Sequence, residues 1–221
     1  MNKTLPLLIT CLLILFGSCD REIEEGPIDL GYDFQPLEVG LFWIYEVDQT
    51  IYFGENDAEQ SQFFYRDQIR SFYLNAAGEQ VFVVGRSKSE DLNAWENVLQ
   101  YTLIPRSKSL VRSVNNEALV TLVFPPKDGQ VWDGEIYSAD QPDDFQMEMD
   151  LNANTLRVIQ EESDDEVTYR DHRFETYERG IGMVEKYDEV LTYCSRNDCL
   201  GQQLIDSGFK IQLTLSDYGK N

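Results

Sequence analysis

The chain has 221 residues, 40 acidic against 18 basic side chains, and a formal net charge of −22. Acids this numerous and this evenly spread repel nucleic acid and anionic lipid headgroups, and suit one folded, well-solvated domain better than a disordered tail. Aromatic residues make up 12% of the chain, enough to build a sizeable core.

The first element is a leader. Lys3 gives a positive start, Leu5 to Phe16 an apolar run, and Gly17-Ser18 lead into Cys19. That order is a lipoprotein signal peptide, with cleavage before Cys19 and lipid on its thiol. Thr4 to Ser18 is 15 residues, short of the roughly 20 that span a bilayer. Residues 1–18 are therefore the signal, and 19–35 a lipidated cysteine with an acidic tether containing Gly26-Pro27 and Gly31. Residues 36–218 form a single β domain. A single acyl chain anchors weakly, whereas two or more hold permanently.

From Gly40 onward the pattern has period two. Strands are expected at Phe42 to Phe53, 63–74, 80–87, 96–104, 109–114, 118–124, 145–151, 155–161, 167–177, 182–193 and 208–216, with a polar loop over 54–62. Turn residues separate them, among them Asn115-Asn116, Asp128-Gly129 and Asn152-Ala153-Asn154. The fold class is all-β: an antiparallel sheet of about eleven strands that curls into a barrel or half-barrel, lipocalin-like or lipoprotein-carrier-like, with a sandwich as the alternative. Trp43, Trp95 and Trp132 are expected to pack into the core.

Cys194 and Cys199 remain once Cys11 leaves with the signal and Cys19 takes lipid. Four residues separate them, with turn-forming Asn197 and Asp198 between. In an oxidising compartment this spacing reads as a disulfide across a tight loop. A zinc site would need further ligands, and His172 is the single histidine.

No catalytic, metal or cofactor site is assigned. Gly180-Ile181-Gly182 precedes a strand rather than a helix, and reads as a bulge or tight strand entry. Asp150, Asn152, Asn154 and Glu161 match calcium-loop positions, but Thr155 stands where glycine is needed, so a hairpin is expected. His172 beside Asp171 lacks a nucleophile in an elbow setting. With 40 acids, paired carboxylates say nothing about glycosidase chemistry.

Three blocks carry a resemblance: Phe34 to Tyr45 ("FQPLEVGLFWIY"), Leu122 to Tyr137 around Phe124-Pro125-Pro126-Lys127-Asp128-Gly129 and Trp132-Asp133-Gly134, and Tyr177 to Tyr187 around Gly180-Ile181-Gly182-Met183-Val184. Together they resemble a family of Bacteroidetes-type outer-membrane lipoproteins. The resemblance implies no activity and carries over no catalytic residue. The acids after Cys19 (Asp20, Glu22, Glu24 and Glu25, interrupted by Arg21) resemble a surface-transport signal of such bacteria. An Asp next to the cysteine resembles an inner-membrane retention signal in enteric bacteria. The balance favours the outer membrane, on its periplasmic or external face.

The function expected is a non-enzymatic interaction or accessory module, held to the membrane by its lipid and partnered by an envelope protein. The alternative is a binder of a lipid or other hydrophobic ligand, and an envelope glycan-active enzyme ranks third.

Overall fold

A computed structural model describes residues 29–54, 57–138 and 142–221. The signal segment and the lipidation candidate Cys19 lie outside the described residues. Strands form where apolar and polar side chains alternate, because successive residues point to opposite faces. They are β1 (Leu41–Gly54), β2 (Asp57–Leu74), β3 (Gln80–Ser89), β4 (Glu96–Pro105), β5 (Ser109–Val114), β6 (Glu117–Val123), β7 (Val131–Asp133), β8 (Asp144–Asp150), β9 (Thr155–Asp164), β10 (Tyr169–Glu178), β11 (Gly182–Tyr193) and β12 (Ile205–Lys220).

Each half of the chain is a meander, β1 to β6 and β7 to β12. The last strand pairs antiparallel with the first, Leu41 opposite Lys220, joining the halves into one sheet ordered β6-β5-β4-β3-β2-β1-β12-β11-β10-β9-β8-β7. The sheet curls until β6 faces β7. There the seam is bridged, among the described residues, by the Val120 amide donating to the Gly134 carbonyl and the Trp132 indole donating to the Val120 carbonyl, both at 2.8 Å. The result is an antiparallel barrel with one unsealed seam. Pro125 and Pro126 follow β6 and supply no amide donor, and β7 is three residues long, so a full ladder cannot form there. Register shifts at Ile44/Tyr45, Arg173/Phe174 and Thr176/Tyr177 mark bulges that bend strands toward closure.

On β1, Trp43, Tyr45 and Val47 are buried while Glu46 and Asp48 are exposed; on β9, Leu156 and Val158 are buried around exposed Arg157. The core therefore lies inside the barrel and charge lies outside, the reverse of the apolar belt of a membrane-spanning barrel. No helix among the described residues is long and apolar enough to cross a membrane.

Two sequence expectations change. Residues 57–62, expected in a loop, belong to β2. They pair with the far end of β1, Thr50 opposite Gln60 and Asp48 opposite Gln62, and the Gln62 amide donates to Asp48 Oδ1 at 2.6 Å. Backbone pairing needs no apolar face, which is why the polar stretch misleads. Trp95 is not in the core; it is half-buried in the β3–β4 connection with the Arg66 guanidinium 4.7 Å above its ring.

One end of the barrel is closed by the chain entering it. Tyr32–Phe34 form a single 3-10 turn, inside the segment read as tether, and Phe34 is 1% exposed. Arg179 stacks over Phe34 at 4.5 Å and pairs with Asp29 at 2.9 Å and Asp33 at 2.7 Å. Tyr32 meets Phe124 edge-on at 4.9 Å. Trp43 donates to the Ile181 carbonyl at 2.6 Å, and Tyr45 to the Met183 carbonyl at 3.1 Å. The three sequence blocks singled out above thus converge on one structure, the plugged base of the barrel.

Candidate functional site

Above the plug, the barrel interior is not uniformly apolar. Asp67 on β2 and Arg86 on β3 are cross-strand partners facing inward. Their contact is bidentate, Nε to Oδ1 and Nη2 to Oδ2, each 2.7 Å. The Tyr101 hydroxyl from β4 donates to Asp67 Oδ2 at 2.9 Å, and Arg86 also lies over the Tyr65 ring at 4.8 Å. On the far wall, Glu175 of β10 accepts from Arg112 of β5 at 2.6 Å, from the Tyr177 hydroxyl at 2.6 Å, and from Lys186 of β11 at 3.3 Å. Lys186 also reaches Asp188 at 3.1 Å.

Glu175 is fully buried. Burial alone would raise its carboxyl, but Arg112, then Lys186, then the hydrogen bonds from Arg112 and Tyr177 hold it well below the usual carboxylate range. Burial pulls Arg86 and Arg112 down, yet Asp67 and Glu175 respectively hold them above the usual guanidinium value. Burial also pushes the Tyr45, Tyr101 and Tyr177 hydroxyls well up, so all three stay neutral. The interior is therefore a set of fixed ion pairs with phenol donors, satisfied largely by one another.

These groups surround a cavity of about 220 Å³. Arg86, Arg112 and Lys186 line it. Trp43, Tyr45, Tyr101 and Tyr177 supply aromatic walls, aliphatic side chains such as Leu103, Leu110 and Met183 the apolar remainder, and Gln35 and Thr121 two further polar groups. A second cavity of about 390 Å³ lies between the plug and the ends of β3 to β5, lined by Tyr32, Leu37, Phe82, Arg106 and Phe124 among others. The two share Gln35 and Leu110.

The sequence candidates fall elsewhere. Cys194 and Cys199 sit in the β11–β12 connection, at the end opposite the plug, both buried and at disulfide distance with Cα atoms 5.8 Å apart. Gly180 and Gly182 take φ of +80° and +115° beside a register shift, the tight strand entry expected of them. A Cβ on Gly182 would lie 3.0 Å from the Trp43 indole nitrogen. Asp150 caps the β8–β9 hairpin by accepting from the Asn152 and Ala153 amides, and Asn154 is left-handed at φ +54°. His172 is half-buried on β10, in a shallow groove with Glu162, Phe174 and Tyr187.

Asp67, Arg86, Arg112, Glu175 and Lys186 were not singled out from sequence. Their signal was present: each is a charge at an inward position of a strand, as Arg112 is between Leu110 and Val114. A charge there is either a partnered group or an error in register, and the strand alone does not say which.

Fold and site define a near-closed antiparallel β-barrel with a plugged base and an internal, ion-paired chamber. No protein-family model and no curated protein matches the sequence. Among solved structures, the chain is similar to a protein from Bacteroides fragilis, named as an exported protein with YmcC-like fold. The identity is 8%, covering 85% of this chain and 99% of that one, at a TM-score of 0.43.

Proposed function

We propose that this protein is an envelope lipoprotein, anchored in the outer membrane through lipid on Cys19, and that its barrel is a non-catalytic binding module that encloses its ligand. The observation that carries the binding role is the chamber: three cations face it while their carboxylate partners are sealed behind. Such preorganised groups hold a ligand without supplying a nucleophile. The anchor follows from the leader. Asp29 lies ten positions after Cys19, a reach of at most about 35 Å, so a lipid on Cys19 keeps the plugged base toward the membrane and the Cys194–Cys199 end away from it.

Two measurements test this. Labelled palmitate should enter the wild-type chain and not the C19A variant; equal labelling sinks the anchor. Native mass spectrometry of residues 20–221, exported and purified without detergent, should show a bound small molecule that denaturation removes. An apo mass under all conditions counts against an enclosed ligand.

The sparse bonding of the seam favours a second reading, in which an envelope protein adds a strand along the β6 edge. A photo-crosslinker at Glu117 that captures no envelope protein in living cells would dismiss it.

A further inference from the structure

Each of the chamber's paired cations keeps part of its surface open. Asp67 keeps 2% of its side-chain surface and Glu175 none, whereas Arg86 keeps 18%, Arg112 16% and Lys186 22%. Both arginines lie deep in the barrel and line the cavity, so their remaining surface opens onto it. Arg86 spends Nε and Nη2 on Asp67, and Arg112 spends Nη2 on Glu175. Among the described residues, Nη1 of Arg86 and both Nε and Nη1 of Arg112 have no hydrogen-bond partner. These N–H groups border the cavity, and an anion placed among them gains charge-assisted hydrogen bonds, which are stronger than neutral ones.

The rest of the wall specifies the other end of such a ligand. The hydroxyls of Tyr45, Tyr101 and Tyr177 already donate to Met183, Asp67 and Glu175. Leu103, Leu110, Val114, Leu119 and Met183 offer no strong hydrogen-bonding group. Beyond the cations, Gln35 and Thr121 are the other polar side chains that line the cavity besides the tyrosines, so a ligand with many hydroxyls finds few donors here, while a short aliphatic or ring body needs none. The volume, about 220 Å³, matches on the order of seven waters, which suits a compact molecule.

Resting on the enclosed-ligand reading above, we infer that the chamber takes a small amphipathic organic acid, its carboxylate held by Arg86, Arg112 and Lys186 and its short apolar body against Leu103, Leu110 and Met183. The protein's overall negative charge does not oppose this, because a site enclosed by low-dielectric walls responds to the charges that line it.

The test uses residues 20–221, which contain every described strand and the whole described core, in calorimetric titrations with hexanoate and with 1-hexanol, its neutral counterpart. Hexanoate should bind one to one, and hexanol at least tenfold more weakly, the range expected for a charged hydrogen bond. K186M should weaken hexanoate about tenfold while the fold persists, because Glu175 keeps Arg112 and Tyr177. The charge-neutral double variant R112M/E175M should abolish hexanoate binding. Equal binding of hexanol and hexanoate, no hexanoate binding by the folded protein, or full hexanoate affinity in K186M overturns the inference. A neutral molecule found by mass spectrometry, with no response to hexanoate, would sustain the enclosed-ligand reading and overturn only the acid. Palmitate labelling of Cys19 reports the anchor separately.

Discussion

Arg112 and Glu175 meet at 2.6 Å although they are 63 residues apart, on strands β5 and β10 that share no ladder. The bond spans the barrel interior and ties its two meanders together at a point where the sheet itself does not. Glu175 has no solvent to fall back on, so the pair is far costlier to break than to omit. R112M alone should destabilise by about 3 kcal/mol, because it takes the nearest cation from a fully buried carboxylate and leaves it Lys186 at 3.3 Å and the Tyr177 hydroxyl. R112M/E175M should recover most of that loss. Urea denaturation of the two variants decides it; equal losses would mean that Lys186 and Tyr177 suffice to hold the carboxylate.

The same carboxylate sets an acid limit. Its folded value lies below the ordinary 4.5, so the unfolded chain takes up this proton first as pH falls. The stabilisation is therefore complete above about pH 4.5 and drains away below it, toward the folded value. Urea midpoints measured from pH 7 down to pH 3 should fall below that point, and less steeply in E175Q than in the wild type. Parallel slopes in the two proteins would remove Glu175 from the account.

Gly180 and Gly182 look alike in sequence but not in space. A Cβ on Gly180 meets nothing within 4 Å, leaving only the cost of φ +80°, about 1 kcal/mol. A Cβ on Gly182 presses on Trp43 and Gln35 at 3.0 and 3.1 Å, at φ +115°. G182A should cost about 2–4 kcal/mol and red-shift Trp43 emission, while G180A leaves the emission unchanged. Matching losses in the two variants would discount the Trp43 contact.

Phe34 tests whether the entering segment belongs to the domain. Fully buried under Arg179, it should cost about 3–5 kcal/mol on replacement by Ala. A loss near zero would make residues 29–35 a tether after all.

The Cys194–Cys199 pair closes a short loop, so its effect is modest. The double variant C194S/C199S should lose about 2 kcal/mol and keep its β-sheet circular dichroism. Loss of the fold would show that the loop does more than pin one connection.

The strands were legible because alternation is a local property. Trp43, Tyr45 and Val47 declare an inward face without reference to the rest of the chain, and Gly180-Ile181-Gly182 declares a tight strand entry in the same way. Alternation is silent over residues 57–62, which are polar on both faces yet lie in β2, held by ladder bonds to β1. Trp95 was misplaced because an aromatic side chain can be covered by one guanidinium, here that of Arg66, as well as by a core.

The all-β class, the turn positions and the spacing of the cysteine pair are written in residues close together in the chain. That Phe34 plugs the base, that Arg112 finds Glu175 across the interior, and that three cations share one chamber emerge only in three dimensions. Those relations depend on how far the sheet curls and on which strands come to face each other. Curling is the summed result of twist and bulges over twelve strands, and no single stretch of sequence contains that sum.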